Sequence, residues 1–137
     1  MRRLIAPAAL ALLLLTAGPA VAKNGVTPIS PKSGDSVPVG SRPTFKMNIT
    51  GKHSGVFVHV CKSRRKVDDG MICSDEVIGK AKKKRGSRFE LRAPFFDFPE
   101  FWLNSPGTYY WQAYRTACNA AITDCKAEGP VVKFRVA

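Results

Sequence analysis

The segment Gly107-Thr108-Tyr109-Tyr110-Trp111-Gln112-Ala113-Tyr114-Arg115 follows a Pro-Gly turn and alternates strictly. Tyr109, Trp111 and Ala113 fall on one face, and Tyr110, Gln112 and Tyr114 on the other. Period-two alternation in aromatic residues specifies a strand. A strand with a tryptophan in the middle of its buried face requires a second sheet to cover it, so the remaining strands must supply that cover.

Those strands can be read in order. Thr27-Pro28-Ile29-Ser30-Pro31 carries two prolines and suits a sheet edge. Lys32-Ser33-Gly34-Asp35 is a turn, and Ser36-Val37-Pro38-Val39 is a second short edge piece. In Thr44 to Thr50, Phe45, Met47 and Ile49 point inward while Lys46 and Asn48 point out. Val56 to Cys61 is apolar on both faces, as a central strand would be, with Phe57 and His59 opposite the valines. A fourth strand is expected around Glu76-Val77-Ile78, a fifth over Arg88 to Arg92, and a last one over Val131 to Val136. Thr116 to Pro130 reads as a loop. No segment repeats apolar residues at helical spacing over ten residues, so no long helix is expected. Seven short strands separated by polar turns predict an all-β, antiparallel sandwich.

Residues 1–22 have the form of a cleaved export signal. Arg2 and Arg3 precede an apolar run through Leu15, and Ala20-Val21-Ala22 offers a small-residue cleavage site. The run is shorter than the ~20 residues that a membrane span requires. The expected mature domain, residues 23–137, is one domain in length and has no transmembrane segment. Loss of Arg2 and Arg3 leaves 20 basic residues against 10 acidic ones, a surplus of ten that attracts anionic partners. Localisation outside the cytoplasm, secreted or in the cell envelope, follows from the leader.

The pattern Ser30-Pro31-x-x-Gly34, Arg42-Pro43-Thr44-Phe45, Val56-x-Val58-x-Val60, Pro106-Gly107-Thr108-Tyr109-Tyr110-Trp111 and Val132-x-Phe134-x-Val136 resembles fibronectin type III-like and immunoglobulin-like domains of secreted bacterial proteins. The resemblance covers most of residues 23–137 and implies that Tyr109 takes the place of the tyrosine of the penultimate strand. It implies no particular activity. The chain departs from antibody-type domains in having no mid-strand cysteine pair between the sheets.

All four cysteines, Cys61, Cys73, Cys118 and Cys125, follow the leader, and an even count in an oxidising compartment reads as two disulfides. Neither pair has the Cys-x2–4-Cys spacing of a zinc knuckle. If each strand crosses the domain once, Cys61 and Cys118 lie at opposite ends, farther apart than a bridge can span. The expected pairs are therefore Cys61–Cys73 and Cys118–Cys125.

Two features are candidates for function. Lys80, Lys82, Lys83, Lys84, Arg85 and Arg88 form a basic run without an acidic residue, expected as a loop beside the Gly51–Gly55 turn. Such a run attracts an anionic polymer or an acidic protein, or it serves only to keep a neighbouring strand from aggregating. A second cluster, Lys62-Arg64-Arg65-Lys66, is expected at the opposite end, and aromatic residues do not interleave with either cluster, which argues against a specific nucleic-acid site. Phe95, Phe96, Phe98, Phe101 and Trp102 either plug the end of the sandwich or form an apolar surface for a protein partner. His53 and His59 lack a carboxylate cluster, Asp97 and Glu100 are a weak carboxylate pair, and Ser54 and Ser105 have no His-Asp pattern beside them. The chain is thus expected to be a non-catalytic binding or structural module without a cofactor or metal. The alternative is an adaptor that uses the 95–103 surface or a sheet edge for protein contact.

Overall fold

A computed structural model describes residues 21–62, 77–92, 103–117 and 126–137. These residues form nine strands: β1 (Val26–Ser30), β2 (Ser36–Val37), β3 (Thr44–Ile49), β4 (Gly55–Cys61), β5 (Val77–Lys80), β6 (Lys82–Arg85), β7 (Arg88–Arg92), β8 (Gly107–Thr116) and β9 (Lys126–Val136). Residues 1–20, Cys73, Cys118, Cys125 and the aromatic residues Phe95 to Trp102 lie outside the described residues. None of the described residues forms a helix long and apolar enough to cross a membrane.

Four strands make one sheet, in the order β1-β3-β7-β6, and five make the other, in the order β2-β9-β8-β4-β5. The core lies between them. Phe45 and Met47 from β3, Phe89 and Leu91 from β7, Trp111 from β8 and Phe134 from β9 are all buried there. Phe45 meets Trp111 edge-on at a ring separation of 5.3 Å and Phe134 at 6.1 Å, so β3 of the first sheet packs on β8 and β9 of the second. The alternation of β8 has the consequence expected of it, with Tyr109, Trp111 and Ala113 all in the core.

The expected seven antiparallel strands become nine in a mixed arrangement, for two reasons. After Pro31 the chain leaves the first sheet, turns at Lys32–Asp35, and lays Ser36 and Val37 parallel to β9 in the second. The turn forms as the sequence implies: the Asp35 N–H donates to the Lys32 carbonyl, and Gly34 takes the positive φ of 88° that a side chain disfavours there. The second extra strand is the basic run itself. Lys82–Arg85 pairs antiparallel with β7, so it is an edge strand and not a loop. The closing strand also begins at Lys126, five residues before the expected start, because Lys126 to Glu128 continue the pairing with Tyr114 to Thr116 beyond a bulge.

The middle of the outward face of the five-stranded sheet, at His59, Gln112 and Tyr114, is buried as well. Phe57 and Tyr114 stack at 5.4 Å, the His59 ring lies 4.8 Å from that of Tyr114, and Gln112 donates to the Gly129 carbonyl at 2.9 Å. His59 is 1% exposed. A central strand buried on both faces accounts for the apolar character of Val56 to Cys61.

Candidate anion-binding edge

The basic run occupies the margin where the two sheets separate. β5 pairs with β4 through Phe57↔Lys80 to Val60↔Val77, and the Ala81 N–H then donates to the Val56 carbonyl at 2.8 Å. Past Ala81 the chain leaves β4 and joins the other sheet as β6. It reverses at Gly86-Ser87, where Gly86 has a φ of 55°, and returns as β7. Lysine has a low strand propensity, and this strand has no apolar alternation. It is held by its ladder to β7, whose Phe89 and Leu91 are anchored in the core.

All four residues of β6 are exposed. Register divides them between two environments. Lys82 lies opposite Glu90, and Lys83 opposite the inward-facing Phe89. At the edge of this face, Lys80, Lys82, Lys84 and Arg92 line a hollow of about 370 Å³ together with Thr44, the core residue Leu91 and one carboxylate, Glu90. Lys46 sits across from Glu90 on β3, and Arg88 across from Asn48. The Arg88 Nε–H donates to Asn48 Oδ1 at 3.1 Å, which orients the guanidinium along this face. Neighbouring strands are about 5 Å apart, and Arg88 and Arg92 are separated by about 14 Å along β7. The cations therefore form a flat field over three strands.

Of the basic run, Lys80, Lys82, Lys84 and Arg88 lie on one margin together with Lys46 and Arg92, while Lys83 lies opposite Phe89 and Arg85 opposite Arg88. Lys46 and Arg92 were legible as outward-facing residues of their strands. Nothing in the sequence showed that the basic run continues the same sheet. The β6–β7 turn lies beside the end of β3 that leads into the Gly51–Gly55 turn, where the Ile49 N–H donates to the Ser87 carbonyl at 2.8 Å.

The other candidates have structural positions. His53, in the turn before β4, stands edge-on to Phe89 at 5.2 Å, whereas His59 faces Tyr114 on the outer side of the five-stranded sheet. Ser54 Oγ is 2.8 Å from Thr116 Oγ1. Ser105 accepts a hydrogen bond from Tyr109 Oη at its carbonyl and one from Lys62 Nζ at its hydroxyl. Lys62, the described member of the second basic cluster, also lies over the Tyr109 ring, at the end of the domain away from β6. Of the 95–103 segment, Leu103 is described, and it is buried in the core. Among the described residues no three His, Cys, Asp or Glu side chains converge as metal ligands would. No protein-family model and no curated protein sequence matches the chain.

Proposed function

We propose that this chain is an exported, non-catalytic binding module with an immunoglobulin- or fibronectin III-like sandwich, and that it contacts anionic polymers of the cell envelope through the β6–β7 margin. The observation that carries the binding reading is the cation field: Lys46, Lys82, Lys84, Arg88 and Arg92 share one sheet face with Glu90. A field of cations spread over three strands offers many weak contacts to an extended polyanion.

Three features support the fold assignment. The sheet orders β1-β3-β7-β6 and β2-β9-β8-β4-β5 correspond to an A-B-E-D sheet facing a G-F-C sheet, the latter extended by a strand at each edge. Tyr109, near the start of the strand in the F position, donates from its hydroxyl to the Ser105 carbonyl four residues upstream at 3.0 Å, the bond that defines a tyrosine corner. Trp111, on the same strand, is buried between the two sheets and meets Phe45 across them, the packing that a two-sheet sandwich needs. The leader and the even cysteine count support export and two disulfides, and no described cysteine is a free thiol.

The reading is tested by titrating residues 23–137 with polyphosphate, polyglutamate and a neutral polysaccharide at several ionic strengths. Binding to both polyanions that weakens steeply with salt is expected, because exposed charges are screened beyond about 10 Å at 0.1 M. Salt-independent binding, or equal binding to the neutral polymer, would overturn the reading.

A further inference from the structure

The turn between β6 and β7 sets two arginines against each other. Lys83 pairs with Phe89 and Arg85 with Arg88, so Lys84 is the extra residue of a bulge. Gly86 and Ser87 then join Arg85 to Arg88. Phe89 is buried in the core, so Arg88 and its partner Arg85 project from the other, outward face. Directly opposed residues have Cβ atoms about 5 Å apart, and like charges so placed repel. Among the described residues of β3, β6 and β7, Glu90 is the one acid, and in register it lies between Lys46 and Lys82.

The two side chains differ in freedom. Arg85 is exposed, and Arg88 is half-buried. The bond from Arg88 Nε–H to Asn48 Oδ1 orients that guanidinium. A guanidinium has five N–H donors, so this bond leaves the four on its terminal nitrogens. The turn itself is tied to β3 through the Ile49 N–H and the Ser87 carbonyl. Lys84, exposed at the bulge, adds a third cation.

We propose that Arg85 and Arg88 form a fork for a single phosphomonoester group. The proposal rests on the reading of this margin as an anion site and narrows it to the group recognised. An anion held between the guanidiniums replaces their repulsion with two charge-assisted contacts. A carboxylate has two oxygens, and one guanidinium occupies both. A phosphomonoester has three terminal oxygens and a charge approaching −2 at pH 7, which suits two guanidiniums at once. The same group ends a phosphorylated polymer or stands on a small ester.

The test is chemical-shift mapping of amide and arginine Nε–H groups on residues 23–137 at pH 7.5 and low salt. Methyl phosphate should bind about fivefold or more tightly than methyl sulfate or acetate, with shifts centred on Lys84 to Arg88. At pH 5, below the second phosphate pKa of about 6, that advantage should shrink, because the ester becomes a monoanion while the arginines stay charged. Arg85→Lys and Arg88→Lys keep the charge and remove the planar fork. Each, with an otherwise native spectrum, should weaken methyl phosphate by about threefold or more, and Lys133→Gln should leave it unchanged. Equal affinity for methyl phosphate and acetate, or lysine variants that bind like the parent, would overturn the proposal. A dextran carrying phosphomonoester groups separates the sources: a fork that serves a polymer favours the dextran, group for group, over methyl phosphate. Polyglutamate judges the margin separately. Its binding should persist in Arg85→Lys, and its absence in the parent would count against the margin while methyl phosphate still decides the fork.

Discussion

Trp111 Nε1 donates to the Pro31 carbonyl at 2.9 Å, joining the middle of the penultimate strand to the point where the chain changes sheets. Both groups are buried. The bond spans 80 residues and ties the Ser30-Pro31 corner to the centre of the core, so β2 starts in position to pair with β9. Trp111→Phe should therefore cost more than its lost volume. An unpaired buried acceptor adds about 1–3 kcal/mol to a truncation that itself costs about 1–2 kcal/mol. Urea unfolding of the variant should show a combined loss of about 2–5 kcal/mol. A loss under about 1 kcal/mol would mean that the Pro31 carbonyl finds another partner.

The bond from the Tyr109 hydroxyl to the Ser105 carbonyl is a smaller contribution. Tyr109→Phe removes one hydroxyl that donates to the Ser105 carbonyl and keeps the ring 5.9 Å from Phe134. The expected cost is about 1 kcal/mol, with no change in the denaturant slope. A neutral result would show that solvent satisfies the Ser105 carbonyl equally well.

Gly129 stands where three strands meet. A Cβ built there would overlap Val26 Cγ1 and lie 2.8 Å from the Ala113 carbonyl oxygen. Both neighbours are buried, and one is backbone. Gly129→Ala should destabilise by about 1–3 kcal/mol, and a crystal structure should show β1 pushed away from β9. A melting temperature equal to that of the parent would contradict this close approach.

The strand register also constrains the disulfides. Gly55 pairs with Thr116 and Cys61 with Tyr110, so Cys61 lies about 20 Å along the sheet from Thr116. Cys118 follows Thr116 by two residues and Cys125 immediately precedes Lys126, and Thr116 pairs with Lys126. A bridge spans less than about 7 Å between Cα atoms. Non-reducing peptide mapping should recover Cys61 with Cys73 and Cys118 with Cys125, and a Cys61–Cys118 peptide would refute the pairing. Reduction should cost about 2–3 kcal/mol per bridge.

What was legible in the sequence divides along physical lines. Alternation read from single segments placed Phe45, Met47, Ile49, Phe89, Leu91, Tyr109 and Trp111 in the core, because burial of one strand face is a local pattern. The Lys32–Asp35 turn was legible from its glycine. The strand at Lys82–Arg85 was not, since an edge strand with both faces in solvent needs no apolar alternation and is defined only by its partner. The parallel pairing of Ser36 and Val37 was hidden for the same reason. So was the pairing of His53 with Phe89, which lie 36 residues apart in the chain. The candidate site was thus named by its charges, while its two faces emerged only from register.

Those charges also protect an open sheet edge from pairing with another chain, and protection alone would require only a solvated strand. The most direct test compares two charge-matched variants. One carries Lys82, Lys83, Lys84 and Arg85 changed to Gln, and the other has the exposed Lys23, Lys32, Lys133 and Arg135 changed to Gln. Each is titrated with polyphosphate at low salt. The account predicts that the first loses about tenfold or more in affinity, four contacts at a few tenths of a kcal/mol or more each, while the second loses less than about twofold. Equal losses in the two variants would mean that net charge alone attracts the polymer, and would contradict a site at the β6–β7 margin.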